Sequence, residues 1–241
     1  MIYITGDIHG SFSGIRDINR FCIKNKTTTD DYIIMLGDVA FNYYLDDRDI
    51  LLKEKARKVP ITFLCVHGNH EARPESIPGK YREVEMFGDT CYIEDTYPNI
   101  VFLKDGGIYT IEDKKFLCLG GAYSVDKEYR QLVGYQWFAD EQTSEEKRNL
   151  ILQNVSGETF DIVISHTCPY EWRPTDLFLT SIDQSKVDSS QELWLSEVKE
   201  KINYKVWCFG HYHSDREYKK ERAIMYFKTI GPIRRCFDLP L

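Results

Sequence analysis

The chain has 241 residues, 42% hydrophobic and 14% aromatic, with a formal net charge of −7 at pH 7. That length and apolar content supply a sizeable globular core, in one large α/β domain or two small ones. The acidic balance gives no electrostatic ground for tight binding of duplex nucleic acid, and no apolar stretch is long enough to span a membrane.

Ile2 to Thr5 is expected to form a strand. A helix follows over Ser13 to Lys26, where Ile15, Ile18, Phe21 and Cys22 recur at helical spacing. Tyr32 to Leu36 is a buried strand by its apolar run, and a helix over Arg48 to Lys58 stops before Pro60. Ile61 to Val66 is the third strand. Glu71 to Thr96, rich in Pro, Gly and charge, is expected to be a long excursion over the site. Ile100 to Leu103, Gly107 to Glu112 and Lys115 to Leu119 form consecutive strands, with tight turns at Asp105-Gly106 and Asp113-Lys114. A capping box of Thr143 and Glu146 starts a helix. Phe160 to Ile164 is a strand. Ser189 and Glu192 cap a helix to about Ile202, and Lys205 to Phe209 is a strand. A hairpin of Arg216 to Glu221 and Ala223 to Thr229 follows. With no internal repeat, linker or low-complexity tract, residues 1–241 are expected to form one domain, a mixed β-sandwich flanked by helices.

Seven cysteines, with no CxxC, do not make a disulfide framework. Cys65, Cys118 and Cys208 sit inside apolar runs as small buried thiols, which suits a reducing cytoplasm. No signal peptide is evident, and the N-terminus is expected to be part of the fold.

Five short motifs stand out, and four of them hold five of the six histidines. These are GDIHG (Gly6 to Gly10), GD (Gly37-Asp38), GNHE (Gly68 to Glu71), SH (Ser165-His166) and GHYH (Gly210 to His213). Each follows an apolar run that is expected to be a strand, and ligands in α/β sheets gather beyond the carboxyl ends of strands. Asp7 and His9 are two apart, so on an extended exit their side chains face one way. Any one of these residues alone is an ordinary turn or packing residue. Together, carboxylate, imidazole and amide oxygen are the donors that Mn, Fe and Zn accept, and no cysteine joins them, which argues against a closed structural zinc site. His67 lies off the pattern and is expected to pack or to hold a ligand by a hydrogen bond. Glu71 is expected to orient a ligand or the loop backbone.

The order D-x-H, G-D, G-N-H-E, H and G-H-x-H resembles the calcineurin-like metallophosphoesterases, and the match runs from Asp7 to His213. The resemblance implies two mixed β-sheets packed face to face with helices outside. It implies two divalent transition metals, Mn, Fe or Zn. Asp7, His9 and His213 would hold the first, Asn69, His166 and His211 the second, and Asp38 would bridge them. His70 would face the leaving group as general acid without binding metal. Two cations roughly 3.5–4 Å apart clamp a phosphate and activate a bridging water for in-line displacement. Cys168 and Ser165 are therefore not needed as nucleophiles.

GDIHG and GNHE also resemble the Ser/Thr phosphoprotein phosphatase branch, which continues G-D-x-V-D-R-G. Here Phe41 and Asn42 replace the Asp that supports the catalytic histidine and the Arg that clamps phosphate. The segment GGAYSVDKEYR, Gly120 to Arg130, resembles bacterial and phage-related members of the superfamily. Arg73 and Arg130 are substrate-binding candidates, since a planar guanidinium suits phosphate. Arg173 and Arg216 compete for that role, and Asp126–Arg130 also has the spacing of a helical ion pair. Trp137 and Phe138 are expected in the core, and Trp172 as a substrate wall. The expected substrate is a small phosphomonoester or phosphodiester, or a nucleotide. The alternatives are a protein phosphatase-like enzyme, a nucleic-acid end-processing nuclease and a non-catalytic scaffold. Neither membrane nor tight duplex binding is expected, and the sequence leaves the oligomeric state open.

Overall fold

Strand β1 (Ile2–Thr5) leads through helix α1 (Phe12–Asn25) to β2 (Tyr32–Met35), and α2 (Asp47–Ala56) leads to β3 (Thr62–Cys65). Then come β4 (Arg82–Met86), β5 (Asp89–Ile93), β6 (Ile100–Leu103), β7 (Ile108–Ile111) and β8 (Lys114–Leu119). Helices α3 (Lys127–Val133) and α4 (Glu145–Val155) precede β9 (Thr159–Ser165), and α5 (Ser190–Lys201) precedes β10 (Asn203–Phe209). β11 (Arg216–Tyr218), β12 (Ala223–Met225) and β13 (Gly231–Pro232) follow. These elements come from a computed structural model that describes residues 1–238.

The strands form two mixed sheets, in the orders β13-β1-β2-β3-β6-β5-β4 and β11-β12-β10-β9-β8-β7. Each has a parallel centre, β1-β2-β3-β6 in one and β8-β9-β10-β12 in the other. Such strands are apolar on both faces because both faces are covered. In β2, Ile34 points between the sheets, where Leu64, Val101, Cys118, Ile162 and Val206 also pack. Its neighbours Ile33 and Met35 point outward against Ile15, Ile18 and Cys22 of α1 and Leu52 of α2. On the far side, Val163 and Trp207 meet Ile151 of α4 and Leu195 and Val198 of α5. Ile162 is fully buried between the sheets, so Ile162→Ala is expected to cost about 2–5 kcal/mol.

Several elements differ from expectation. The excursion after Glu71 contains the β4–β5 hairpin, which extends the first sheet. Its two-residue turn is Phe87-Gly88, both at positive φ. That geometry belongs to hairpin turns usually signalled by Asn-Gly, and Phe hides it. The strands before and after Asp105-Gly106 are not neighbours, because this turn carries the chain from one sheet to the other. Helix α4 is capped by Ser144, which accepts from Lys147 N–H, while the Thr143 hydroxyl bonds Asp105 and the Gly120 carbonyl instead. The Ser189 hydroxyl accepts from Arg173 rather than capping α5. Helix α3 is an additional element, ended by Gly134 in the left-handed conformation. Trp172 is buried against Trp207 rather than forming a substrate wall, and Trp137 and Phe138 are only half-buried. Cys65, Cys118, Cys168 and Cys208 are buried. Among the described residues no helix is long and apolar enough to cross a membrane.

Candidate metal centre

The five motifs leave the C-terminal ends of β1, β2, β3, β9 and β10, and the two sheets bring those ends together. Asp7, His9 and His213 form one group whose donor atoms lie within 4.8 Å of one another, and Asp38, His166 and His211 form another. Asn69 joins the second group, its Oδ1 lying 2.9 Å from His166 Nε2. Asp38 stands between the groups. Its Oδ2 is 3.8 Å from His9 Nε2 and its Oδ1 is 3.5 Å from His166 Nε2. His70 belongs to a third group, with His9 and Asp38.

Local backbone geometry explains the motifs. His9, Asp38, His211 and His213 all have positive φ. The exit from β1 is therefore a tight turn, not the extended segment that the two-residue spacing suggests. Non-glycine residues in this region carry strain, which concentrates at functional sites and persists only when the surroundings enforce it. Here His9 N–H donates to the Asp38 carbonyl and Gly10 N–H to that of Val39. His211 N–H donates to the Asp7 carboxylate, and Gly210 N–H to the His166 carbonyl. Gly37 has φ +93°, and a Cβ there would run into the His166 ring. A Cβ on Gly68 would strike Asp38. Each of these glycines makes room for a ligand from a different motif.

Hydrogen bonds also fix the donor atoms. His166 Nδ1 lies 2.7 Å from the Leu36 carbonyl, which can only accept. The proton therefore sits on Nδ1 and Nε2 is left to bind. Asn69 Nδ2 donates to Ser124 Oγ at 2.8 Å. Glu71 accepts from Gly68 N–H and so holds the loop backbone. Burial, with Asp38 nearby, pushes its carboxyl up to about 8. His67 is buried, its Nε2 has no hydrogen-bond partner, and it is not in any of the ligand groups.

The electrostatics favour a cation in this pocket. Burial works to lower the His166 pKa, but Asp38 outweighs it and pushes the group up to about 9. Burial works to raise the Asp38 pKa, and His166 instead holds it well below the usual carboxylate range. The surroundings thus stabilise positive charge beside an ionised Asp38, and a metal can take the place of the imidazolium proton. Burial lowers the His211 pKa strongly, so this ring is neutral and free to ligate. Seven oxygen and nitrogen donors in two groups with a shared carboxylate fit two divalent ions.

A cleft of about 500 Å³ opens over the site and is lined by His9, Asp38, Asn69, His70, His211 and His213 among others. Arg173 also lines it, whereas Arg73 and Arg130 are not among the lining residues. Arg73 is buried in an ion pair with Asp105 and donates to the Asp140 carbonyl. Arg130 is buried and donates to Ser124, 3.7 Å from Asp126. Both donate to other groups, while Arg73 Nη2 and Arg130 Nε and Nη2 have no hydrogen-bond partner, and the expected i,i+4 pair with Asp126 is present. Arg216 is paired with Asp176 at 2.7 Å. Phe41 lies in the core beside Phe63, and the Asn42 side chain is bound by Lys53 and Tyr81. Cys168 is buried, with its thiol pushed well up, and Ser165 Oγ donates to the Thr167 carbonyl. Sequence reasoning missed Ser124 and Glu141, which stand behind Asn69. No periodicity or motif links positions so far apart in the chain.

The sequence profile of the calcineurin-like phosphoesterases matches residues 1–215. No curated protein matches the chain. The crystal structure of TT1561 of Thermus thermophilus is similar in fold at 9% identity, covering 98% of this chain and 95% of that one with a TM-score of 0.55. A second solved structure, 11% identical, covers 93% of this chain and 88% of its own with a TM-score of 0.48. The matched profile spans all five motifs and every strand from β1 to β10, and the chain belongs to the calcineurin-like phosphoesterase family, whose members are metal-dependent hydrolases of phosphoric esters.

Proposed function

We propose that the chain hydrolyses small phosphomonoesters and phosphodiesters with two divalent transition metals, Mn, Fe or Zn. Asp7, His9 and His213 would hold one ion and Asn69, His166 and His211 the other. The observation that carries this reading is Asp38, which turns one carboxylate oxygen toward His9 and the other toward His166.

The bound ions would polarise the phosphoryl group and acidify a water. The rest of the chemistry belongs to the chain. Asp38 screens the repulsion between the two cation positions. The imidazoles and the Asn69 amide keep the ligand charge low, which preserves attraction for the phosphate. His70 lines the cleft 4.8 Å, ring to ring, from His9 and is placed to protonate or hydrogen-bond the leaving oxygen. Burial lowers its pKa, and Asp38 opposes that.

A protein phosphatase is less well supported, because Phe41 and Asn42 are committed to the interior. With Asn42 in place of that branch's Arg clamp, preference for dianionic monoesters weakens, so both ester types are expected to turn over. The test is elemental analysis together with a panel of alkyl phosphates, dialkyl phosphates and phosphoserine peptides with Mn supplied. About two metals per chain and turnover of both small ester types are expected. Metal-free protein, or high turnover of phosphopeptides with none of diesters, would count against the proposal.

A further inference from the structure

The metal ligands make up only part of the cleft lining. The rest of its lining includes Leu177, Phe178, Leu179, Ile182 and Val187, all from the segment between β9 and α5. Leu177 is 41% and Leu179 65% exposed. Apolar side chains presented together to solvent mark a binding surface. This wall is also braced. Arg216 grips Asp176 through two hydrogen bonds. Phe178 stacks on Tyr212 with centroids 6.2 Å apart and planes 23° apart. Arg173 holds Ser189 at the other end. Tyr212 lies between His211 and His213, so the wall is continuous with the metal centre.

The charges at this end argue against an ionic ligand. No lysine is among the lining residues, and Arg173 is the one guanidinium. Its Nη1 donates to Ser189, its Nε to the Tyr170 carbonyl, and its plane lies 3.5 Å over the Tyr170 ring. The acids Asp126 and Glu192 line the same cleft. A second phosphate or a carboxylate here would meet Glu192 and an arginine whose Nε and Nη1 are already bound. An apolar group would meet five apolar side chains in a cleft of ordinary ligand size.

We infer that this wall seats the organic half of the substrate, an uncharged and mainly apolar alkyl or aromatic ester group whose phosphate lies at the metal end. The inference rests on the phosphoesterase reading and names its substrate class.

Phosphonates test it, because their C–P bond is not cleaved. The probes are methylphosphonate, hexylphosphonate, 2-naphthylethylphosphonate and 2-carboxyethylphosphonate, titrated calorimetrically into Mn-supplied protein. Each fully buried methylene is worth about fourfold in affinity, at about 0.8 kcal/mol. Because the cleft is open, hexylphosphonate is expected to bind at least about tenfold tighter than methylphosphonate, with no gain for the carboxyethyl compound. The double variant Leu179→Ser, Ile182→Ser is expected to remove most of that gain. In turnover, kcat/KM for monoalkyl phosphates should rise with chain length in parallel, since the leaving group is a primary alkoxide throughout.

Equal affinities, absent hexylphosphonate binding, or preference for the carboxyethyl probe would overturn the inference. So would a dimer in sedimentation that the double variant abolishes, which would give the wall to a second copy of the chain. The two readings fail separately. Ester turnover that ignores chain length defeats this inference alone. Chain-length-dependent phosphonate binding with both metals present and no ester turned over defeats the phosphoesterase reading alone.

Discussion

The two halves of the metal centre use similar donors in different settings. Asp38, Asn69 and His166 are almost fully buried, whereas the side chains of His9 and His213 are 31% and 51% exposed. In the buried half His166 and Asn69, with the shared Asp38, each have a partner behind them. His166 leans on the Leu36 carbonyl, Asn69 on Ser124, and Asp38 accepts from His70 N–H at 2.8 Å. In the open half Asp7 is also buried and accepts from His211 N–H, so the openness lies in the two rings: His9 Nε2 and His213 Nε2 lie 2.7 Å from each other, and His213 stacks on Phe227. Buried and hydrogen-bonded donors are held before an ion arrives, whereas exposed rings must be ordered by it. The buried half is therefore expected to grip its metal firmly and the open half to exchange it.

Asp38 is the one residue common to both halves, so its loss tests the comparison most severely. Asp38→Ala is expected to deplete both metals and abolish turnover. Elemental analysis showing full occupancy in that variant would sink the bridging assignment.

Removing metal by chelation should separate the halves. With EDTA, one equivalent is expected to leave quickly and the second slowly, the fast phase belonging to Asp7, His9 and His213. His213→Ala should lose that equivalent and keep the other. A single release phase in the wild-type protein would erase the distinction between the halves.

Much of the site was legible because its glycines, histidines and carboxylates are local to motifs and each motif ends an apolar run. The two-sheet architecture followed from the same alternation. What stayed hidden depends on residues that meet only in three dimensions. Arg73 looks like a phosphate ligand until Asp105, 32 positions away, is seen beside it. Thr143 and Glu146 have the spacing of a capping box, yet Thr143 is engaged by Asp105 and Gly120, so Ser144 caps the helix. The sheet change at Gly106 leaves no mark in a pattern that records only strands and turns.

His70 sits next to the boundary between the halves and, on the proposed assignment, completes neither coordination set. His70→Ala is expected to retain both metals and to lose at least roughly a hundredfold in turnover on an alkyl phosphate. An activated aryl ester should be much less affected, because its leaving group needs no proton. Near-normal turnover of the alkyl ester would remove His70 from the mechanism.

The smallest expected effect lies furthest from the metals and probes why the buried half is rigid. Asn69 must present oxygen, not nitrogen, to a cation, so its amide must not rotate. Ser124 Oγ has one proton, and it goes to Glu141 Oε2 at 2.5 Å, while the Ser124 N–H goes to Oε1. Arg130 Nη1 donates to the same hydroxyl at 2.8 Å and, as a guanidinium, cannot accept. Ser124 can then only accept from Asn69, which turns the NH2 toward Ser124 and Oδ1 toward His166. Ser124→Ala should weaken the second metal about 10- to 100-fold, the usual scale for losing such a partner. The first metal should be unaffected, and Ser124→Thr should restore the second. Glu141→Gln is the sharper variant, because glutamine offers one acceptor where the serine needs two. If the hydroxyl loses its acceptor, its proton turns to Asn69 and the amide rotates. Titration of the second metal equivalent should then show a loss like that of Ser124→Ala, although the serine is still present. Wild-type affinity in both variants would mean that the orientation of Asn69 is set by the metal alone, and that the buried half is no more preorganised than the open one.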